Sequence, residues 1–535
     1  MVMSPKLYTF LCGCFAALGS ILFGYDLGII GSVLPSTNFL ETMNHPNDTV
    51  IGFITSMMLL GAFVGCIPSS LVADKFGRKK AIFVGSIIFI IGGSLQTAAQ
   101  GLGEMLAGRG LAGVGIGMLS FLAPLYQAEI AHPSIRGRLT TLQQFFLGIG
   151  AFIASFMGYG FYTNYPGREI QWRVPLGIQI LPALPLAALI FLFPESPRWL
   201  VAVGREDDAL VALARLHANG NTEDIFVQTE LRDLQLAIEE ERRVAIGAYT
   251  QMFTVPSNLR RVLIGVFLQM SMQATGVSVL QYYAPRIFLN IGFGASKTLM
   301  LQSINSVLAL IGQAACIMCI DKVGRRWPLI IGNIVSSSTF CVGTAIMASF
   351  PPDSTHNVSA SWAFVMMTWI FNFAFSSCLG PLSWAVPVEI FNTKLRAKAT
   401  AITSMGAWIA NFAIAQATPY AFSAIGWKYY LVFGICGFTN ALFVWLFVPE
   451  TKGRKLEEMD HYFESTHWIV PLAKYEPISA TTREDELRRG IATGKHVEPG
   501  HLERNLSSDP ALNKEKYDGE QDMIEDMSRP YASKI

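Results

Sequence analysis

Long apolar stretches of about 20 residues or more alternate with short polar connectors along most of this 535-residue chain. A helix of about 20 apolar residues is long enough to cross the hydrocarbon core of a bilayer. Twelve such stretches are present, at about 7–34, 49–73, 79–98, 104–129, 138–163, 172–193, 259–285, 298–320, 327–349, 362–388, 397–424 and 428–448. The pattern therefore predicts an all-α membrane protein with twelve transmembrane helices.

Polar segments divide the chain into parts. In the connector between the sixth and seventh stretches, residues 206–218 and 223–243 have a helical apolar pattern that predicts short helices on the membrane face. Residues 477–535 are rich in Glu, Asp, Lys, Ser and Pro, which predicts disorder. We expect four parts: an N-terminal six-helix bundle (1–193), a connector with short helices (194–258), a C-terminal six-helix bundle (259–448) and a polar tail (449–535).

Basic residues favour one set of connectors, which predicts orientation. That set carries Lys75, Arg78, Lys79, Lys80, Arg136, Arg138, Lys322, Arg325, Arg326, Lys394, Arg396 and Lys398, and the opposite set carries Arg168, Arg173, Arg286, Lys297 and Lys428. Because cytoplasmic loops are enriched in Lys and Arg, the first set, both termini and the long connector are predicted to be cytoplasmic. The sequons at Asn47 and Asn357 then fall in outer loops and are candidate glycosylation sites.

Composition excludes several classes of protein. Apolar residues make up 51% of the chain and charged residues 15%, and the net charge of +1 gives no sign of nucleic-acid binding. The eight cysteines all fall in apolar stretches, which indicates buried thiols rather than a disulfide framework or a metal site. No nucleophile, metal cluster or phosphate loop stands in a suitable context, so we expect neither an enzyme nor a cofactor.

Three motifs occur once in each half, in the same order. Asp74-Lys75-Phe76-Gly77-Arg78-Lys79 recurs as Asp321-Lys322-Val323-Gly324-Arg325-Arg326, Glu129 with Arg136 recurs as Glu389 with Arg396, and Pro194-Glu195 recurs as Pro449-Glu450. The repeats predict two similar bundles related by an axis along the membrane normal, with a site at mid-depth between them.

The charged residues of these repeats share one face and are candidates for a cytoplasmic gate. The gate set is Asp74, Arg78, Glu129, Arg136, Glu195, Asp321, Arg325, Glu389 and Arg396. A network of ion pairs contributes more than isolated pairs do. The alternative is that the bases only fix the topology.

Two charges lie inside apolar stretches. Asp26 is in the first stretch and Arg109 is in the fourth. A charge at bilayer depth costs several kcal/mol, so it normally faces a cavity and has a partner. We therefore expect Asp26 and Arg109 to pair.

The motifs as a set resemble the sugar porter family of the major facilitator superfamily, with the closest similarity to fungal members. The resemblance rests on Gly108-Arg109, Arg136-Gly137-Arg138, Pro194-Glu195-Ser196-Pro197-Arg198, Pro449-Glu450-Thr451-Lys452-Gly453, Gln281-Tyr282-Tyr283-Ala284-Pro285 and Gly380-Pro381-Leu382-Ser383-Trp384. It covers about residues 7–460 and implies a proton-coupled monosaccharide importer, working by alternating access as a monomer in the plasma membrane.

The resemblance also implies roles for particular residues. Asp26 and Arg109 match the proton-coupling pair, although a static ion pair is the alternative reading. Tyr282 and Tyr283 resemble an extracellular gate, with anchoring at the membrane interface as the alternative. The implied sugar ligands are Gln144, Gln273, Ser278, Trp384, Trp408 and Asn411. Amides suit a polyol because they both donate and accept hydrogen bonds, and indoles cover its apolar face.

Three positions depart from the family pattern. Met272 replaces one amide of a glutamine pair, Ser278 replaces an asparagine, and Ala407 stands where an amide precedes Trp408. These departures put glucose in doubt and favour a pentose, a polyol or a sugar acid as alternatives. A non-transporting sugar sensor and an uncoupled facilitator are the other readings.

Overall fold

The computed structural model describes residues 4–131, 136–244, 248–350, 357–391, 396–452 and 456–472, and these residues form helices and no strands. The N-terminal half contains α1 Pro5–Ala16, α2 Leu18–Val33, α3 Thr37–Thr42, α4 Asp48–Phe76, α5 Arg78–Ala98, α6 Leu102–Ile130, α7 Arg136–Asn164, α8 Ile170–Ile178 and α9 Ala183–Leu189, followed by a 3₁₀ turn at Ile190–Leu192. The connector contains α10 Pro197–Ala202, α11 Glu206–His217, α12 Ile225–Val244 and α13 Ala248–Thr254.

The C-terminal half follows the same plan. It contains α14 Pro256–Gln273, α15 Val277–Asn290, α16 Ala295–Val323, α17 Arg326–Ser349, α18 Val358–Ala374, a π-turn at Phe375–Leu379, α19 Gly380–Ile390, α20 Arg396–Ile425 and α21 Lys428–Phe447. After it come α22 Leu456–Ser465 and a 3₁₀ turn at Val470–Leu472.

Eleven of the twelve expected spans are helical segments long and apolar enough to cross a membrane, within the residues described above. The remaining span, predicted at 397–424, is the 30-residue helix α20. It lies where the sequence predicts it, but Ser404, Asn411, Gln416 and Thr418 make it less apolar than the others. These polar residues lower the mean hydropathy of α20, which is why it is not among the eleven most apolar segments.

Several predicted spans consist of two helices. The seventh is interrupted between α14 and α15, where Gly276 has a φ of +87°. A Cβ at this position would lie 2.7 Å from the ring of Phe433, so glycine is required both by conformation and by space. The tenth is interrupted by the π-turn that precedes Gly380 and Pro381. The apolar pattern does not show these interruptions because both parts of each span are apolar.

Glycines allow very close packing between helices of the N-terminal half. A Cβ at Gly24 of α2 would lie 1.9 Å from the carbonyl oxygen of Leu147 on α7. A Cβ at Gly113 of α6 would lie 2.1 Å from the carbonyl oxygen of Met58 on α4. Small residues are common at such contacts between membrane helices, because van der Waals packing drives their association. The two contacts fix α2 and α6, which carry Asp26 and Arg109.

The connector helices form a small bundle of their own. Their apolar faces meet around Trp199, Leu213 and Val227, as the helical pattern predicts. The bundle is attached to the membrane helices by Thr9, whose hydroxyl donates to the carbonyl of Leu216 over 2.8 Å. The bundle therefore packs against the N-terminal half.

The chain beyond the last span docks against the start of α14. Arg260 donates to the carbonyls of Thr466 and His467 over 3.0 and 2.9 Å and packs against the ring of Phe463. Residues 473–535, which include the tail expected to be disordered, lie outside the described residues.

One expectation about thiols is wrong: Cys319 is exposed, because it lies on an outward face of α16.

Candidate functional site: a buried ion pair between two helical bundles

Asp26 and Arg109 form an ion pair inside the N-terminal bundle, between α2, α4 and α6. The Nη1 of Arg109 donates to both carboxylate oxygens of Asp26, over 2.9 and 3.0 Å. Its Nε donates to the carbonyl of Ile54 on α4, over 3.0 Å. Asp26 is fully buried and Arg109 is 1% exposed. Both charges are thus enclosed by protein and neither faces lipid.

A further polar group stands near this pair. The side-chain oxygen of Gln96 lies 3.5 Å from Nη1 of Arg109. On α2, which carries Asp26, Phe23 contacts Trp408 and Gly31 faces the backbone carbonyl of Tyr282, both of the other half. The pair is therefore next to the boundary between the halves, where a movement of α15 would change its surroundings.

Two predicted sugar ligands meet at the interruption of the seventh span. Gln273 ends α14 and Ser278 stands in the first turn of α15. The hydroxyl of Ser278 donates to Oε1 of Gln273 over 3.2 Å. Neighbouring Met272 is buried and adds no polar atom at this point. The interruption brings together side chains five positions apart that would otherwise lie on different faces of one helix.

Trp408 and Asn411 lie on one face of α20 and are both buried. The ring of Trp408 makes an edge contact with Phe23 of α2, at 5.0 Å between centroids, so it bridges the halves. The indole nitrogen of Trp408 and Oδ1 of Asn411 make no well-formed hydrogen bond among the described residues, although the thiol of Cys66 and the hydroxyl of Tyr282 lie beside them. Buried polar atoms are normally paired, so these two atoms are suited to a polar ligand. Gln144 on α7 and Trp384 on α19 are half-buried.

The two predicted gate tyrosines are buried on α15. Tyr282 is 2% exposed, and its backbone carbonyl faces Gly31 of α2, where a Cβ would come within 3.2 Å. Tyr283 is 1% exposed, and its hydroxyl donates to the carbonyl of Ala415 over 2.9 Å. Residues that anchor a helix at the membrane interface keep one end in contact with the headgroups. The burial of both side chains favours the gate over the anchoring alternative.

Sequence reasoning missed a group of contacts that joins the halves at the predicted outer face. Arg286 of α15 donates to Asp48 of α4 over 2.6 Å, and Ser423 of α20 also donates to Asp48. Nearby, Ser56 donates to the side chain of Gln416 over 2.7 Å. We call Asp48, Arg286 and Ser423 the outer latch. The sequence held one signal, since Arg286 is among the few bases on the outer side.

A second missed residue is Gln313 of α16. It is 8% exposed, and its Oε1 occupies the space in front of Gly148 on α7, where a Cβ would come within 1.9 Å. Gly148 is one helical turn from Gln144. The amide of Gln313 therefore crosses from one half to the other close to a predicted sugar ligand.

The predicted cytoplasmic repeats have nearly identical geometry in the two halves. Arg78 binds Glu129 through two hydrogen bonds of 2.8 and 2.9 Å, and Arg325 binds Glu389 over 3.0 to 3.2 Å. Each pair joins helices within one half. Among the described side chains, Asp74 of one half and Lys398 of the other lie close enough to attract each other at this face.

A second acid in each repeat binds the backbone of the turn between two helices. Glu195 accepts hydrogen bonds from the backbone N–H groups of Arg78 and Lys79, at 3.1 and 3.3 Å, and Glu450 does the same in the second half. Gly77 and Gly324 have φ values of +96° and +92°, and a Cβ there would lie 2.7 and 2.8 Å from these carboxylates. Burial raises the pKa of the Glu195 carboxyl, and the backbone donors oppose this shift.

Three predicted gate residues have no described side chain. The side chains of Arg136, Asp321 and Arg396 lie outside the described part of the structure.

The candidate glycosylation residues both cap helices at the predicted outer face. Oδ1 of Asn47 accepts from the N–H of Val50 over 2.9 Å, and Oδ1 of Asn357 accepts from that of Ser359 over 3.1 Å. The amide nitrogens, which glycosylation would modify, take no part in the caps.

Comparison with known proteins gives a consistent result. The family described as "Sugar (and other) transporter" matches residues 12–463. MFS glucose transporter mfs1 of Aspergillus flavus is 33% identical over 94% of this chain and 98% of its own length. High-affinity glucose transporter 1 of Candida albicans is 31% identical, with 95% of each chain covered.

Solved structures agree. The proton:xylose symporter XylE, bound to 6-bromo-6-deoxy-D-glucose, is 27% identical, with a TM-score of 0.72 over 85% of this chain and 99% of its own. The XylE of E. coli has also been solved in a partially occluded inward-open conformation, which matches with a TM-score of 0.70. From its fold, its repeated motifs and these similarities, this multi-pass membrane protein belongs to the sugar transporter family of the major facilitator superfamily and is not an enzyme.

Proposed function

We propose that the protein imports a monosaccharide together with a proton, by alternating access, as a monomer in the plasma membrane. The observation that carries the proposal is the fully enclosed pair of Asp26 and Arg109 beside the boundary between the halves. In this conformation the outer latch joins the halves, so the pair is separated from the predicted outer side. Proton exchange with the outer side therefore requires the halves to part there.

The proposed cycle uses the protonation state of Asp26. When the outer side is open, Asp26 takes up a proton, which neutralises the carboxylate and weakens its bond to Arg109. Sugar then binds between the halves, and α15 closes over it. After the inner side opens, sugar leaves and Asp26 releases its proton, so that the bond to Arg109 re-forms. The approach of Tyr282 to Gly31 of α2, the helix that carries Asp26, supports a link between closure of the gate and proton affinity.

The proposed binding site is made of Gln144, Gln273, Ser278, Trp384, Trp408 and Asn411. The indole nitrogen of Trp408 and Oδ1 of Asn411, which make no well-formed hydrogen bond among the described residues, suit hydroxyl groups of a ligand. Met272 and Ala407 supply no hydrogen bond, so the site offers fewer polar contacts than a glucose site of the family pattern. A pentose, a polyol or a sugar acid is the second candidate for the substrate.

The test is uptake by cells that lack their own sugar porters. Hexoses, pentoses, polyols and sugar acids are supplied in radiolabelled form, and external pH is recorded at the same time. We expect accumulation above equilibrium with external alkalinisation, and a protonophore should collapse it. A facilitator would only equilibrate the sugar, with no pH change, and a sensor would bind sugar without uptake.

Removal of the Trp384 indole should weaken sugar binding. We expect Trp384→Ala to raise the half-saturation concentration by about tenfold or more, since a buried aromatic contact contributes on the order of 1.5 kcal/mol or more. The measurement is sugar-dependent uptake at equal surface expression. Trp445, exposed on α21, provides the control Trp445→Ala, which should leave half-saturation unchanged. An unchanged value for Trp384→Ala would remove this residue from the site.

The outer latch should favour the conformation with a closed outer side. We expect Asp48→Asn and Arg286→Gln each to shift the population towards an open outer side, because each removes an ion pair that crosses the halves. A half-buried surface pair of this kind contributes about 0.2–1 kcal/mol, so the shift should be about 1.4- to fivefold. It can be measured as the labelling rate of a cysteine introduced at Gly31, which the closed gate covers.

The charge-swapped double variant Asp48→Arg/Arg286→Asp is the control for this prediction. It should restore the labelling rate at least in part, because it keeps an ion pair across the halves. Equal labelling in all variants would contradict a latch.

A further inference from the structure

A cavity of about 330 Å³ lies at the end of the N-terminal half that is predicted to face the cytoplasm. It is enclosed by the end of α4, the start of α5, the turn after α9 and the helices α10 and α11. Four of its lining side chains are basic: Lys79, Lys80, Arg205 and Arg215. Neither the transport cycle nor the proposed gate uses Lys80, Arg205 or Arg215.

The acids of the cavity do not balance these bases. Asp208 is bound by Arg205, over 2.7 Å. The carboxylate of Glu195 is directed at the backbone N–H groups of the turn at Arg78 and Lys79. Four bases against two acids still leave a net charge of +2 in the cavity, although Glu195 also attracts Lys79.

Each remaining base keeps donors for a ligand. The ammonium of Lys79 gives one hydrogen bond to the carbonyl of Phe191, over 3.0 Å, and has two more to give. Lys80 is exposed. Arg215 is exposed and rests on the ring of Tyr8, at 5.6 Å, with a guanidinium that offers several N–H donors. These groups suit a phosphate, which accepts several hydrogen bonds at once.

The rim of the cavity is apolar and open to the surroundings of the bundle. Phe76, Phe191 and Val211 are 47%, 48% and 58% exposed. Phe76 ends α4 and Phe191 is in the last turn of the sixth span, so both lie near the predicted cytoplasmic boundary of the membrane. A ligand that fits both parts has an anionic head and acyl chains, whereas a soluble phosphate would use only the basic part.

We propose that this cavity binds the headgroup of an anionic phospholipid of the same leaflet, with its acyl chains along Phe76 and Phe191. Basic pockets next to membrane helices on the cytoplasmic side are suited to such headgroups. The bound lipid would join the connector helix α11 to the start of α5.

Competition between lipids tests the proposal. The full-length protein is purified with equal amounts of phosphatidylserine and phosphatidylcholine of the same acyl chains, and retained lipid is quantified by native mass spectrometry. We expect a preference for phosphatidylserine. Lys80→Gln/Arg215→Gln should reduce that preference about 10- to 30-fold, and Lys80→Gln alone about fivefold, because each base near the surface makes a similar contribution.

Two controls define the outcomes. Lys322→Gln removes an exposed base on the same face of the other half and should leave the preference unchanged. Glycerophosphoserine, which has the headgroup without acyl chains, should compete weakly. Equal retention of both lipids by the unmodified protein, or an unchanged preference in the double variant, would overturn the proposal. Competition by glycerophosphoserine as strong as that of the intact lipid would assign the cavity to a soluble phosphate instead. Thermal unfolding in phosphatidylcholine alone verifies that the variants are folded.

Discussion

Asp26→Asn is expected to abolish uphill accumulation of sugar while sparing exchange of labelled for unlabelled sugar. The amide cannot take up and release a proton, so the sugar gradient loses its energy source. At about 100 mV and one pH unit, one proton carries about 2.3 plus 1.4 kcal/mol, which corresponds to an accumulation ratio of several hundred. In the variant this ratio should fall to about one, a value that needs no energy source.

The variant leaves Arg109 buried without its charged partner, which costs about 3–5 kcal/mol of stability. A second variant, Asp26→Asn/Arg109→Gln, removes both charges and avoids this cost. It should also exchange sugar without accumulating it. Uptake and counterflow in reconstituted vesicles, with an imposed pH gradient, measure both activities. If either variant still concentrates sugar against a gradient, Asp26 is a structural residue and proton coupling occurs elsewhere.

Gly24→Ala should destabilise the protein and disturb the ion pair. The added methyl group would lie 1.9 Å from the carbonyl oxygen of Leu147, so α2 and α7 must move apart. Overpacking of this kind costs about 1–3 kcal/mol, and here the obstacle is backbone, which cannot turn aside as a side chain can. Because Asp26 is two residues away on the same helix, we expect a lower unfolding temperature together with reduced coupling.

Gly160→Ala is the matched control, because Gly160 is also in a membrane helix and has nothing within 4 Å of its added Cβ. It should be neutral or slightly stabilising, since alanine has the higher helix propensity. Thermal unfolding in detergent and uptake at equal expression would compare the two variants. Equal stability of Gly24→Ala and the unmodified protein would show that the helices are not in close contact at this point.

Much of this architecture could be predicted from sequence because it follows local rules. The apolar stretches locate the membrane helices to within a few residues, and the recurrence of Asp74 to Lys79 at Asp321 to Arg326 indicates two equivalent bundles. The free-energy cost of placing a charge at bilayer depth is enough to predict that Asp26 pairs with Arg109, because each of these isolated charges needs a partner. These inferences needed no knowledge of which helices are neighbours.

Other features depend on neighbours and could not be predicted in this way. Asp48 and Arg286 are 238 positions apart, and each alone is an ordinary charge near a helix end. Gln313 can reach across to the other half only because Gly148, on the facing helix, has no side chain in its way. The interruption at Gly276 has no trace in the apolar pattern, although the glycine itself permits it. In each case the missing information is the packing partner.

The interruption of the seventh span has a consequence for how this transporter can move. Its inner segment, α14, is tied by Arg260 to the chain that follows its own half. Its outer segment, α15, touches the opposite half at Gly31 and Asp48. When the halves separate, α14 therefore stays with its own half, whereas α15 is held by contacts to the other half. The backbone dihedral angles of residues 274–276 must change to allow this difference. A description of transport as two rigid blocks would therefore misplace α15, the segment that we propose closes over the sugar.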